Sequence, residues 1–238
     1  MRITQYTGFR RPLTGVALLC GSLLLVASAA LARPSGAQDA ASVLDAARDQ
    51  GGTFLAQVLL ETCGFLLLFA GAVGATQVLR RRGVVLGNLA CVLCFAGLAG
   101  FMLVGAMSLT VYSLAAGDDQ AAMVSAADVV HASPAAILSF PLMLLGLIGL
   151  ILLALGLRRA RLVPLWVPVV AIAGVVLDFV GGASHAALLA SDVLGLVSFG
   201  WIAKVMLSTS DDVWEAGTDP QPQAVGSSSS ASEVAGAR

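Results

Sequence analysis

An ionisable side chain inside a run of apolar residues is costly to hold and is a functional candidate by default. This chain has a small set of them. Glu61 sits within the apolar stretch 54–79, one helical turn after Gln57 and on the same helix face. Asp178, His185 and Asp192 recur seven residues apart around Gly181-Gly182-Ala183-Ser184. If the segments on either side of that glycine pair form a hairpin, the three approach one another. His131 and Asp128 belong to a more polar segment. Carboxylate and imidazole together suit two kinds of chemistry: proton exchange, because histidine titrates near neutrality, and binding of a divalent cation such as zinc. A bland reading stands beside both, in which these groups reach the wet interface, cap helix ends and hydrogen-bond one another. It applies most to His185 and Asp192, which lie close to the turn.

Other reactive residues point away from catalysis. No HExxH or comparable ligand spacing is present, so no metal and no cofactor is expected. Cys91 and Cys94 form a CxxC pair at helical spacing. A redox pair needs an exposed, low-pKa thiolate, and apolar burial opposes that, so the four cysteines read as packing residues. Two histidines cannot supply the paired ligands of a multi-haem cytochrome. No phosphate-binding glycine loop, nucleophile elbow or kinase signature occurs.

The elements that must position these groups follow from composition. Of 238 residues, 58% are hydrophobic and 11% charged, against roughly 25% charged in soluble domains. Water cannot be the main solvent. In hydrocarbon each backbone amide must be satisfied within its own segment or in a closed barrel. The apolar runs are long and lack the alternation of barrel strands, so they are helices. The formal net charge of −1 and the absence of an exposed basic domain argue against a nucleic-acid partner.

Six spans are expected: residues 13–32, 54–79, 84 to about 114, 135–157, 162 to about 180, and 186–207. The first is ambiguous. Its basic start and its end at Ala30-Leu31-Ala32 fit a secretory signal, but its apolar length exceeds the usual signal core and favours an uncleaved anchor. Cleavage would leave five spans. Gly83-x-x-x-Gly87, Ala70-x-x-x-Gly74 and Ala96-x-x-x-Gly100 have the spacing that lets helix backbones approach closely, within one bundle in preference to between copies. Residues 39–53 and 118–133 each separate an apolar face (Val43, Leu44 and Ala47; Met123, Ala127 and Val130) from a polar one. Each reads as a short amphipathic helix on the outer membrane surface. Each precedes a span that ends in an arginine cluster, which hints at a duplicated helical-hairpin unit.

Basic residues orient the spans, since short cytoplasmic loops retain Lys and Arg. With the N-terminus inside, Arg2, Arg10, Arg11, Arg80, Arg81, Arg82, Arg158, Arg159, Arg161 and Lys204 are cytoplasmic, and only Arg33 and Arg48 are outside. The chain then divides into a basic cytoplasmic N-terminus (1–12), a transmembrane helical bundle (13–207) and a disordered acidic cytoplasmic tail (208–238) that carries Trp214.

Over about residues 10–207 the order of features resembles an uncharacterised bacterial membrane family, domain of unknown function 4386. The shared features are a basic start and first span, an Asp/Ala-rich outer segment, a span ending at Leu79-Arg80, and a small-residue-rich span. There follow an outer segment reaching Val130-His131-Ala132, a span ending in Leu157-Arg158, and a fifth span closing at Asp178-Phe179. His131 and Asp178 look most like the family's polar positions. The resemblance implies a six-helix fold and brings no activity with it.

The expected protein is therefore an all-α, polytopic, multi-pass protein of the bacterial cytoplasmic membrane with both termini inside. Its expected role is non-catalytic: small-solute or proton-linked transport, or an accessory role in a membrane complex. The alternative is a metal-dependent membrane enzyme using the outer carboxylate–histidine cluster. The expected partners are the lipid bilayer and either another membrane protein or a second copy of the chain. Asp178 is expected to face the bundle interior with a polar partner, because a lipid-facing aspartate costs about 2.5 to 3.5 kcal/mol at a helix centre.

Overall fold

The computed structural model describes residues 7–32, 40–80, 83–180 and 184–209. The basic start through residue 6, residues 33–39 with Arg33, Arg81, Arg82, Gly181 to Ala183, and the tail from residue 210 with Trp214 lie outside the described residues. Every regular element among the described residues is a helix, and five helices are long and apolar enough to cross a membrane. In chain order these are α1 (Thr7–Leu31), α2 (Ala40–Gln50), α3 (Gly52–Ala75) with a 3-10 extension over Thr76–Arg80, α4 (Val84–Leu114), α5 (Gln120–His131), α6 (Pro134–Arg159), α7 (Trp166–Val180) and α8 (His185–Ser208).

Local chemistry sets several boundaries. The Asp119 side chain caps α5 by accepting from Ala122 N at 3.1 Å. Ser133 caps α6 by accepting from Ala136 N at 3.3 Å, with Pro134 at the first helical position, where its missing N–H costs nothing.

The helix expected to form the fifth span begins later than the sequence suggests. Arg161 takes the left-handed conformation (φ 61°), its N–H donates to Arg158 O at 2.9 Å, and Leu162 N donates to Leu157 O at 3.0 Å. This is a Schellman stop, and Pro164 then keeps the residue before it out of helical geometry. The helix starts at Trp166 and is 15 residues long. At 1.5 Å per residue that is about 22 Å, short of a hydrocarbon core of about 30 Å.

Three antiparallel pairs, α1/α3, α4/α6 and α7/α8, build the bundle, and contacts of α3 with α4, α6 with α7 and α8 with α1 close the pairs into a ring. Two of the pairs depend on missing side chains. A methyl group on Gly97 of α4 would overlap Gly146 Cα of α6, and one on Gly21 of α1 would come within 2.5 Å of Leu68 N of α3. Gly74 meets the Thr14 side chain, Gly87 meets Leu79, and Gly100 meets the Met143 backbone, so the small-residue spacings serve packing within the bundle.

At the end where α1 begins and α6 stops, the ring is filled by Val78, Leu79, Leu153, Leu157, Val163, Val167, Ile202 and Met206. Arg158, Arg159, Arg161 and Lys204 are exposed around this end. The opposite end carries α2 and α5. Both form where the sequence places them, but their apolar faces are covered by protein. Leu44, Ala47 and Ala127 are buried as α2 packs on α5 and on α4. Gln120 Nε2 donates to Asp45 Oδ1 at 3.3 Å, which links the polar sides of the two helices.

Candidate functional site

The α7/α8 pair sets the register of the site. Ser191 Oγ donates to Gly174 O and Ser198 Oγ to Val167 O, each at 3.0 Å. Two turns back along α7 correspond to two turns on along α8, so the segments form a true antiparallel hairpin, and Asp178, His185 and Asp192 come to the end where α7 stops and α8 begins. Gly174 allows the approach, since a methyl there would meet Ser191 O at 3.2 Å. In the first pair, Ser28 Oγ of α1 donates to Gln57 O of α3 at 3.1 Å and holds the first turns of α3 against the end of α1.

Between these pairs, in the half of the ring nearer α2 and α5, lies a cavity of about 650 Å³ to which all six ring helices contribute. α1 supplies Ser22 and Ser28, and α3 supplies Gln57, Glu61 and Phe65. Phe101 of α4 stacks on Phe65 with ring centroids 3.6 Å apart, and Phe69 packs behind both. α6 adds Phe140, Met143 and Leu144, α7 adds Asp178 and Phe179, and α8 adds His185, Ser191, Asp192 and Phe199. The site is thus a mixed chamber in which phenylalanines and aliphatic side chains stand beside three carboxylates, several serines and Gln57.

Glu61, Asp178 and Asp192 are close enough to interact electrostatically with one another. No arginine or lysine lines the cavity among the described residues. Three carboxylates so placed need a counter-charge, either a proton or a bound cation. His185 lines the cavity, and its Nδ1 is buried with no hydrogen-bond partner among the described residues.

Four of the five expected site residues, Glu61, Asp178, His185 and Asp192, therefore meet at one cavity. His131 does not. It is exposed at the end of α5, where its Nδ1 donates to Ala127 O at 2.9 Å, an ordinary contact within a helix. Asp178 lines the cavity as expected, but it has no hydrogen-bond partner among the described residues and much of its surface is open. It stands two residues before the end of α7 at Val180. Among the described residues no group of three or more His, Cys, Asp or Glu side chains is placed to hold a metal ion. Cys91 and Cys94 are free thiols; Cys94 is buried against α6, where a methyl on Gly149 would touch its backbone N.

Sequence reasoning missed Ser22, Ser28, Ser191 and the aromatic wall. Ser22, Leu25, Ser28, Ala29 and Ala32 fall on one face of α1, as do Ser184, Leu188, Ser191, Asp192, Gly195 and Phe199 on α8. That stripe of small and polar positions at three- and four-residue spacing was the available signal. Comparison with protein-family models, with curated proteins and with solved structures finds no match, so the functional reading stands on this geometry and on the sequence.

Proposed function

We propose that this is a non-catalytic, six-span protein of the bacterial cytoplasmic membrane, with both termini inside, that binds a small solute in the cavity and moves it in a proton-linked manner. The observation that carries the reading is the gathering of Glu61, Asp178 and Asp192 in an interior chamber walled by every ring helix, with no basic side chain among the described lining residues. A purely accessory protein has no need of such a chamber. A metal-dependent hydrolase needs three converging ligands and an open coordination position, and the described residues offer no such group. Carboxylates that exchange a proton for a solute need only what is present: acids that share one chamber, with Glu61 and Asp192 partly buried and Asp178 accessible at its end. The shortness of α7 is compatible with a sixth span, because neighbouring helices shield a short one and the bilayer adapts at modest cost. The resemblance to the domain of unknown function 4386 family belongs to the same proposal.

A panel of organic cations, anions and neutral solutes screened by thermal shift on the purified protein, followed by internal-pH measurement in proteoliposomes, tests this. At least one stabilising solute is expected to drive proton movement that Glu61→Gln abolishes. Stabilisation and proton movement that are identical in wild type, Glu61→Gln and Asp192→Asn would remove the site from the mechanism.

A further inference from the structure

Resting on the reading of this cavity as a solute site, we infer that the solute is an amphipathic organic cation, a compact apolar body carrying one positive centre, which reaches the cavity from the acyl chains between α6 and α7.

Charge sets the sign. The three carboxylates interact with one another, and neither arginine nor lysine lines the chamber among the described residues. A cation supplies the missing counter-charge, whereas an anion finds no basic side chain among the described lining residues. His185 is the one other titratable group in the lining among the described residues.

The walls set the shape and polarity. Phe65 and Phe101 form a stacked pair beneath Glu61, and Phe199 closes the chamber from α8. Aromatic faces hold a cation electrostatically and an apolar body by area burial. A chamber of about 650 Å³ falls in the range of ligand pockets of roughly 300–1,000 Å³, mostly apolar with a few placed polar groups. A small hydrated ion would leave most of it unfilled.

The route follows from where the ring is weakest. The small-residue face of α6, with Gly146 and Gly149, is turned onto α4, and that of α7, with Gly174, onto α8. Neither helix keeps a close-packing face for the other, and theirs is the least extensive of the contacts that close the ring. Near the connecting turn the seam is shut by Leu157, Val163 and Val167, which are buried. Toward the acid-bearing end, Phe140 (60% exposed), Leu144 (38%) and Phe179 (47%) line the cavity and keep much of their surface accessible. The entry route from the acyl chains runs through this loosely packed apolar wall.

Tetraphenylphosphonium binding to the purified full-length protein in lipid nanodiscs tests this, with tetraphenylborate as the anion of matched shape. The cation is expected to bind saturably at one site per chain, and the anion not to compete. Glu61→Gln and Asp192→Asn should each weaken binding by about tenfold or more, as loss of one carboxylate–cation contact implies. Leu144→Trp, at an exposed wall position that tolerates bulk, should slow association while the protein stays folded. Equal binding of both ions, or unchanged affinity in both carboxylate variants, overturns the cation assignment. If neutral solutes drive proton movement while the phosphonium ion does not bind, the ligand class is wrong and the transport reading survives. If the phosphonium ion binds as described and no solute moves protons, the transport reading fails and the ligand class stands.

Discussion

Arg48 reaches from α2 to the end of α4, donating from Nε to Ala115 O at 3.1 Å and from Nη2 to Gly117 O at 2.9 Å. Two carbonyls that the helix leaves open are answered by one planar fork, and the pair of short helices is thereby fixed to the bundle. Arg48→Ala should lower the stability of the purified protein by about 1.5–3 kcal/mol, the worth of hydrogen bonds to a charged group. Arg48→Lys should recover little of it, because an ammonium cannot serve both carbonyls in that geometry. Thermal unfolding of the two variants in one detergent gives the answer, and a lysine variant as stable as wild type would show that charge alone holds the clamp.

What the sequence revealed and what it hid divide along physical lines. Helices α3, α4, α6 and α8 were legible nearly to the residue, because an apolar run bounded by arginines or cap residues has one solution in hydrocarbon. The glycine pair between α7 and α8 announces a turn, and a turn there is enough to bring Asp178, His185 and Asp192 together. The start of α7 was misplaced because the stop after Arg159 uses Arg161 in a left-handed conformation that an arginine seldom adopts, although Pro164 marked a boundary two residues before Trp166. Arg48 counted in the sequence only as an outer charge, because its partners are backbone carbonyls 67 and 69 residues away. His131 shares its residue type with the site but not its location, and one-dimensional spacing cannot separate the two.

Glycine positions make the packing of α4 on α6 directly testable. Gly97→Ala places a methyl on the Gly146 backbone, where no rotamer change can relieve it. A loss of about 1–3 kcal/mol is expected, as for overpacked cores. Gly195→Ala faces open space in the cavity, and should gain up to about 1 kcal/mol of helix propensity. Denaturation midpoints that move the same way for both variants would contradict the distinction between a helix crossing point and a chamber wall.

The first helix is an integral wall of the ring. Leu18 and Ala29 are buried, Gly21 lies on the α3 backbone, and Ser22 and Ser28 line the cavity. Signal cleavage after Ala32 would remove one of the six ring helices and expose Leu68 and Gly71, which pack on Gly21 and Leu18. Protein extracted from the membrane should therefore keep an N-terminal epitope tag and show the uncleaved intact mass. A mass lacking residues 1–32 would mean that the five remaining helices repack.

Charge asymmetry predicts the orientation. Arg158, Arg159, Arg161 and Lys204 surround the end of the bundle opposite α2 and α5, and basic residues are retained on the cytoplasmic side. Reporters fused after residue 209 and at residue 118 should report opposite compartments, with the tail inside. The same compartment for both would leave an even number of crossings between them and remove α7 as a span.

Asp178 and Glu61 occupy different depths of the same chamber, and accessibility should separate them. Glu61 is half-buried beside the Phe65–Phe101 stack, whereas Asp178 is open near the end of α7. A charged aspartate pointed into acyl chains would cost about 2.5 to 3.5 kcal/mol at a helix centre, a cost the cavity removes. In a background with Cys20, Cys63, Cys91 and Cys94 replaced by serine, Asp178→Cys should react readily with a membrane-impermeant maleimide added from the side of α2 and α5. Glu61→Cys should react more slowly with the same reagent. Asp178→Asn should insert and unfold like wild type while changing proton-linked activity. Labelling of Asp178→Cys by lipid-soluble reagents alone would place the carboxylate against lipid and detach it from the cavity.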